Sequence, residues 1–230
     1  MRTIGILGGM SWESTAQYYA LINRHVREAR GGLTSAPLLL HSFDFSEIAA
    51  LQRAGDWDAL NDRLAQAALG LERAGADAVV IATNTMHLCA PAIEAATTVP
   101  LIHIADPLGS ALHAAGHTKV GLLATRFTME EPFYAERLAH HGVEAVVPPT
   151  ERRSEIHRVI FEELCVGDIR ETSRAFYQSA IADLAARGAS AIALACTEIM
   201  LLIEQAHSPL PLFDTTALHA QAAVQFVLSE

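Results

Sequence analysis

The sequence predicts an α/β fold of two similar lobes, each a parallel-sheet α/β sandwich, related by pseudo-two-fold symmetry with the site in the cleft between them. Three observations predict it. Short apolar runs alternate with longer amphipathic ones along the 230 residues. The short runs are rich in Val, Ile and Leu and mostly lack polar alternation, as strands buried on both faces of a parallel sheet do. The second half of the chain also repeats the first. Strand–helix alternation of this kind gives parallel sheets with right-handed crossovers.

In chain order the expected strands are Thr3–Leu7, Pro37–Ser42, Ala78–Ala82, Leu101–Ile104, Val120–Leu123, Glu144–Val147, Ala191–Ala195 and Leu210–Phe213. Between them the amphipathic stretches Ser14–Arg30, Asp56–Ala74, Asp106–Ala115, Met129–His140, Ser154–Val166, Ile169–Ala186 and Thr215–Leu228 are expected to be helices. Gly75 and Gly188 follow two of these, where a helix end often takes a left-handed residue.

The repeat has three matches in order. Arg73–Thr85 aligns with Ala186–Glu198 at an offset of 113, which places Thr83 opposite Cys196. Ile4–Leu7 aligns with Val120–Leu123, and Val99–Ile102 with Leu210–Phe213. The offsets are 116 and 111 for these two, so the segments keep their order and nearly their spacing, which points to a duplicated unit. The expected division is therefore a first lobe over residues 1–105, joined by the C-terminal segment 210–230, and a second lobe over 106–209.

Composition narrows the chemistry. Hydrophobic residues are 51% and charged residues 18%, which argues against disorder. The formal charge of −10 argues against a nucleic-acid partner, which needs a basic stripe. Lys119 is the one lysine, so a Schiff-base enzyme would have to use it, and no P-loop lysine exists. Cys89, Cys165 and Cys196 form no CxxC pair, so neither a disulfide framework nor a zinc site is suggested. No metal site, no membrane partner and a cytoplasmic location are expected.

Ligands of open parallel sheets bind at the carboxyl ends of strands. Four such ends carry small or polar residues: Gly8-Gly9-Met10-Ser11, Thr83-Asn84-Thr85, Thr125-Arg126-Phe127-Thr128 and Cys196-Thr197-Glu198. With Thr83 and Cys196 on opposed lobes, one side chain can take a proton from one face of a carbon while the other returns a proton to the opposite face. A thiol suits this role, because neighbours can shift its pKa from about 8.5. Backbone N–H groups at Met10 and Ser11 and the side chains of Asn84, Thr85 and Thr197 are candidate donors to a substrate carboxylate. Ser11 is also a candidate helix N-cap. Glu198 can tune the thiol or relay its proton. His87 can orient the Thr83 turn, although a satisfied core histidine is the commoner use. Cys89 and Cys165 are expected to be structural.

The segments Ile4–Thr15, Asn84-Thr85-Met86-His87 and Cys196-Thr197-Glu198-Ile199, with Phe45–Ile48 through Gln52–Trp57, resemble the aspartate/glutamate racemase family. The resemblance covers nearly the whole chain, with the motifs in order. It implies two α/β lobes, racemisation of a small-molecule amino acid without PLP, a pair of cysteines as acid/base groups, and commonly a homodimer. The family's usual first cysteine falls at Thr83, so the chain is most similar to the branch with a Thr/Cys pair, typified by L-aspartate/glutamate-specific racemases. That implies Cys196 as the base for the L-substrate and Thr83 as the opposing proton donor, with no cofactor. It also implies a substrate side-chain contact near Gln52. Members with paired cysteines commonly hold the distal carboxylate with an arginine and a lysine. This chain has no lysine near Ile156–Val166, and Arg126 is the candidate substitute. Two rival readings stand beside the first: a broad-spectrum amino-acid racemase, and a catalytically idle amino-acid-binding protein of the same fold.

Overall fold

In the computed structural model, which describes residues 1–229, the apolar runs are strands and most of the amphipathic runs are helices. The last residue of the expected segment 210–230 lies outside the described residues. The chain forms two units, one of residues up to Ile104 together with the chain from His219 onward, the other Ala105–Leu218.

The first unit contains β1 (Ile4–Gly8), α1 (Trp12–Arg30), β2 (Leu38–Ser42), α2 (Phe45–Ala54), α3 (Trp57–Arg73), β3 (Ala78–Ile81) and α4 (Ala90–Ala96). Its sheet is parallel, in the order β2-β1-β3. Successive strand residues point to opposite faces, so each strand feeds two cores. Leu7, Val79 and Ile81 pack with Ile48, Leu60, Leu64 and Ile93 on one side. Ile4, Ile6 and Val80 pack with Tyr18, Ile22 and Val26 of α1 on the other, joined there by Ala220, Ala223 and Val227. The continuous apolar runs in the sequence are the signature of this two-sided burial.

The second unit contains α5 (Ala105–Ala114), β4 (Lys119–Ala124), α6 (Arg126–Glu130), α7 (Pro132–Ala139), β5 (Glu144–Val146), α8 (Thr150–Glu162), α9 (Glu171–Ala186), β6 (Ala191–Ala195), α10 (Ile199–Leu202), β7 (Leu212–Asp214) and the start of α11 (Thr215–Leu228). Its sheet is parallel in the order β5-β4-β6-β7. Residues 210–218 therefore belong with the second unit rather than the first, because β7 pairs with β6 from Ile192↔Leu212 to Leu194↔Asp214. Only from His219 does the chain pack into the first unit's core.

Among the elements that differ from expectation, four have an identifiable cause. Leu101–Ile104 is a single parallel bridge, Val79↔Leu101, and not a strand. Its ladder ends after Ile102 N–H bonds the Val79 carbonyl, and the Ile104 N–H goes to the His87 side chain instead. The stretch Met129–His140 is two helices, because Pro132 lacks an N–H and holds Glu131 extended. Ser154–Val166 begins earlier, at Thr150, and its helix ends at Glu162 before a 3-10 turn closed by left-handed Gly167. The helix α2 went unread, although Asp44 caps its Ser46 N–H and left-handed Gly55 ends it. No helix among the described residues is long and apolar enough to cross a membrane.

Candidate active site

In the first unit the site begins where β1 stops. Gly9 has φ +80°, and a Cβ there would run into the Phe43 backbone, so the turn admits glycine alone. The Gly9 N–H donates to Thr15 Oγ1 at 2.8 Å, and Thr15 Oγ1 donates to the Ser11 carbonyl at 2.8 Å. Ser11 caps α1 by accepting from Ser14 N–H at 3.3 Å. Ser14 Oγ in turn donates to the Ala82 carbonyl at 2.9 Å. These bonds tie the amino end of α1 to the carboxyl end of β3, one residue before Thr83. Met10, Ser11, Asn84 and Thr85 are buried there, and Thr83 is half-buried.

Gln52 is also buried, on the inner face of α2, and its Nε2 donates to Met86 Sδ at 3.0 Å. Its neighbour Arg53 is exposed. The sequence signal for this helix is Asp44 followed three residues later by Glu47, a capping pattern.

In the second unit Cys196 stands one residue past β6 and is 8% exposed. Its Sγ donates to Glu198 Oε2 at 3.0 Å, and Thr197 Oγ1 donates to the same oxygen at 2.7 Å. Burial pushes the Cys196 thiol well above its ordinary range, and the negative charge of Glu198 adds to it. The thiol is therefore protonated near neutral pH, with a carboxylate in place to receive its proton. Cys89, by contrast, is pushed up to about 12 by burial and lies in the first unit's apolar core.

Thr125 follows the neighbouring strand end, Ala124 being paired with Ala195, and its hydroxyl accepts from Thr128 N–H to cap α6. Arg126 is half-exposed. Its guanidinium lies 5.7 Å from the Phe127 ring centroid and 3.8 Å from Glu130, and its backbone N–H donates to His157 Nδ1. The structure thus brings together Met10, Ser11, Thr83, Asn84 and Thr85 with Gln52 beside Met86 in one unit, and Cys196, Thr197 and Glu198 in the other. It turns Arg126 toward Glu130.

Lys119 opens β4 at the amino end of the strand, its Nζ 3.0 Å from Glu144. His113 and His117 stand four apart in sequence, but His117 lies past the end of α5 and binds Ser190 Oγ. No group of three or more His, Cys, Asp or Glu able to hold a metal occurs among the described residues.

One buried charge escaped sequence reasoning. Glu163 is buried, and its carboxylate accepts from Ser173 Oγ at 2.5 Å and Arg158 at 2.7 Å, with Arg170 at 3.4 Å. Burial opposes ionisation, but the Ser173 hydroxyl and the two guanidiniums outweigh it and hold the carboxyl below its usual range. Arg158 and Arg170 are thereby engaged, along with Glu155 and Asp168. The partners are five to ten residues from Glu163, off the usual helical spacings, so no motif announced them. A groove of about 560 Å³ lined by His41, Phe43, Arg63 and Ala67 shares no residue with the strand-end clusters.

The chain is an α/β protein whose two parallel-sheet units carry polar side chains at their strand ends. It belongs to the Asp/Glu/Hydantoin racemase family, whose model matches residues 7–223. The chain is similar to the broad specificity amino-acid racemase RacX of Bacillus subtilis (strain 168), with 24% identity over 98% of both chains. A crystal structure of a candidate Asp/Glu racemase from Yersinia pestis matches at 48% identity and TM-score 0.94, covering all of both chains. An aspartate racemase homologue from Pyrococcus horikoshii OT3 matches at 31% identity and TM-score 0.84, again over both full chains.

Proposed function

We propose that the protein racemises L-aspartate or L-glutamate by two-base proton transfer at Cα, with Cys196 as base and Thr83 as opposing proton donor. The observation that supports this reading best is the Cys196 thiol bonded to a carboxylate at the repeat position equivalent to Thr83. Glu198 accepts the Sγ proton, and the thiolate so formed takes the α-proton. The electron pair left at Cα spreads into the substrate carboxylate, held by Asn84, Thr85 and Thr197 and by backbone N–H groups at Met10 and Ser11. The Thr83 hydroxyl gives a proton to the other face, directly or through water, and is reprotonated from solvent, to which Glu198 gives up the proton it took from Sγ. Gln52 contacts the substrate side chain and Arg126 is the cation offered to its distal carboxylate. No Schiff base to a lysine takes part: the one lysine, Lys119, is paired with Glu144 at the amino end of β4. The working form is a cytoplasmic homodimer.

The starting base differs for the two enantiomers, a thiol for L and a hydroxyl for D. In D₂O, α-deuterium exchange measured on each enantiomer separately is expected to be faster for L. Equal rates would overturn the assignment. A second reading, broad specificity, has support in the likeness to RacX and in the engagement of Arg158 and Arg170 by acids. Racemisation assays across acidic, basic and neutral amino acids separate the two.

A further inference from the structure

The first unit contains three buried histidines that the proposed reaction does not use: His87, His103 and His219. We infer that His87 is a positioning residue, which as its neutral Nδ1–H tautomer clamps the Thr83–Asn84 turn and so sets where the Thr83 hydroxyl stands. The inference rests on Thr83 being the proton donor of the first unit.

Both ring nitrogens of His87 are committed. Nδ1 lies 2.9 Å from the Thr83 carbonyl and 3.3 Å from the Asn84 carbonyl, and carbonyls only accept. Nδ1 therefore carries the proton. Nε2 lies 3.1 Å from the Ile104 N–H, which only donates, so Nε2 is bare. One tautomer satisfies both contacts, and the imidazolium satisfies only one.

The surroundings hold that state. His87 is 1% exposed, with the His103 ring centroid at 4.5 Å and the His219 centroid at 5.7 Å. His219 is itself committed: Nε2 donates to the Ile102 carbonyl at 2.6 Å, and Nδ1 accepts from Tyr18 Oη at 2.8 Å. Burial first, and then the charge repulsion of His103 and His219, keep His87 well below the ordinary histidine range.

The 3-10 segment Thr85–Cys89 has no side-chain cap at Asn84. The imidazole bridges the turn to the Ile104 backbone, which fixes it against the end of the bridge at Leu101. A proton donor displaced by about 1 Å can lose about a hundredfold in rate, so a bond that fixes the Thr83 backbone bears on turnover rather than on substrate affinity.

Two substitutions separate the two nitrogens. In His87→Asn the amide nitrogen can take the place of Nδ1 and donate to the Thr83 carbonyl. In His87→Gln the amide oxygen can take the place of Nε2 and accept from Ile104, while the donor to Thr83 is lost. The expected result is a kcat loss of about tenfold to a hundredfold in His87→Gln with KM nearly unchanged. His87→Asn should stay within about threefold in kcat, even if it melts earlier. Undiminished kcat in His87→Gln, or equal loss in both variants in step with their melting temperatures, overturns the inference. The imidazole ¹⁵N spectrum of the intact protein tests the clamp independently of activity: an Nδ1–H tautomer supports it, and an Nε2–H tautomer or an imidazolium at pH 7 overturns it. If Thr83→Val leaves racemisation intact, the reading of Thr83 fails, and the spectrum still decides the clamp.

Discussion

The two units share a strand plan and differ in the group that ends their equivalent strands. β2-β1-β3 with the bridge at Leu101 in the first unit corresponds to β5-β4-β6-β7 in the second. In the first, two residues past the strand, stands a half-buried threonine in a turn held by a neutral histidine. In the second, one residue past the strand, stands a buried thiol that donates to a carboxylate. The backbone frame sets where a strand end lies, and burial and hydrogen bonding set what a side chain can do there. The two units thus share a strand frame and differ in what their strand ends offer chemically.

The largest expected effect comes from erasing one side of that contrast. Cys196→Ala should cut L-aspartate racemisation by about 10²–10⁴-fold, the usual worth of a positioned acid or base. Thr83→Cys should instead make the two ends alike, and raise α-deuterium exchange on the D-enantiomer relative to L. An unchanged D-to-L exchange ratio would show that the asymmetry does not arise at residue 83.

Glu198→Gln removes both the acceptor for the thiol proton and the charge that pushes the thiol up. We expect a loss of about tenfold at neutral pH, with activity recovering as pH rises and the thiol ionises without help. A pH–rate profile identical to that of the unaltered protein would remove Glu198 from the mechanism.

The smallest effect concerns stability. The unfolded chain takes up a proton at His87 near pH 6.5, while burial and the nearby His103 and His219 hold the folded His87 well below that value. The unfolded state thus binds more protons as pH falls, so this stability is present above about pH 6.5 and is lost below it. Urea midpoints at pH 7.5 and 5.5 should show the decline, and His87→Asn should reduce it. An equal decline in both proteins would place the sensitivity elsewhere.

Much of the frame was legible. Buried parallel strands need apolar side chains on both faces, so β1, β3, β4 and β6 appear as unbroken runs, and a duplicated frame leaves its offset in the sequence. Ser11 was legible as a cap because capping is local. The burial of Gln52 was not legible, because α2 is short and its buried face is set by packing against Met86. Leu101–Ile104 looked like a strand because its composition suits one, yet a histidine seventeen residues earlier takes its last N–H. Glu163 and its arginines were invisible for the same reason: the partners meet only after the helices pack.

By itself, then, the sequence determined the parallel α/β units, their repeat and the family motifs at the strand ends. These depend on periodicity and on residues adjacent in the chain. The tertiary structure decided which groups are charged or neutral: the protonated thiol beside Glu198, the neutral His87, the ionised Glu163 and the engagement of Arg126 with Glu130. Protonation and hydrogen bonding depend on burial and on partners brought together from distant positions, and local sequence does not encode either.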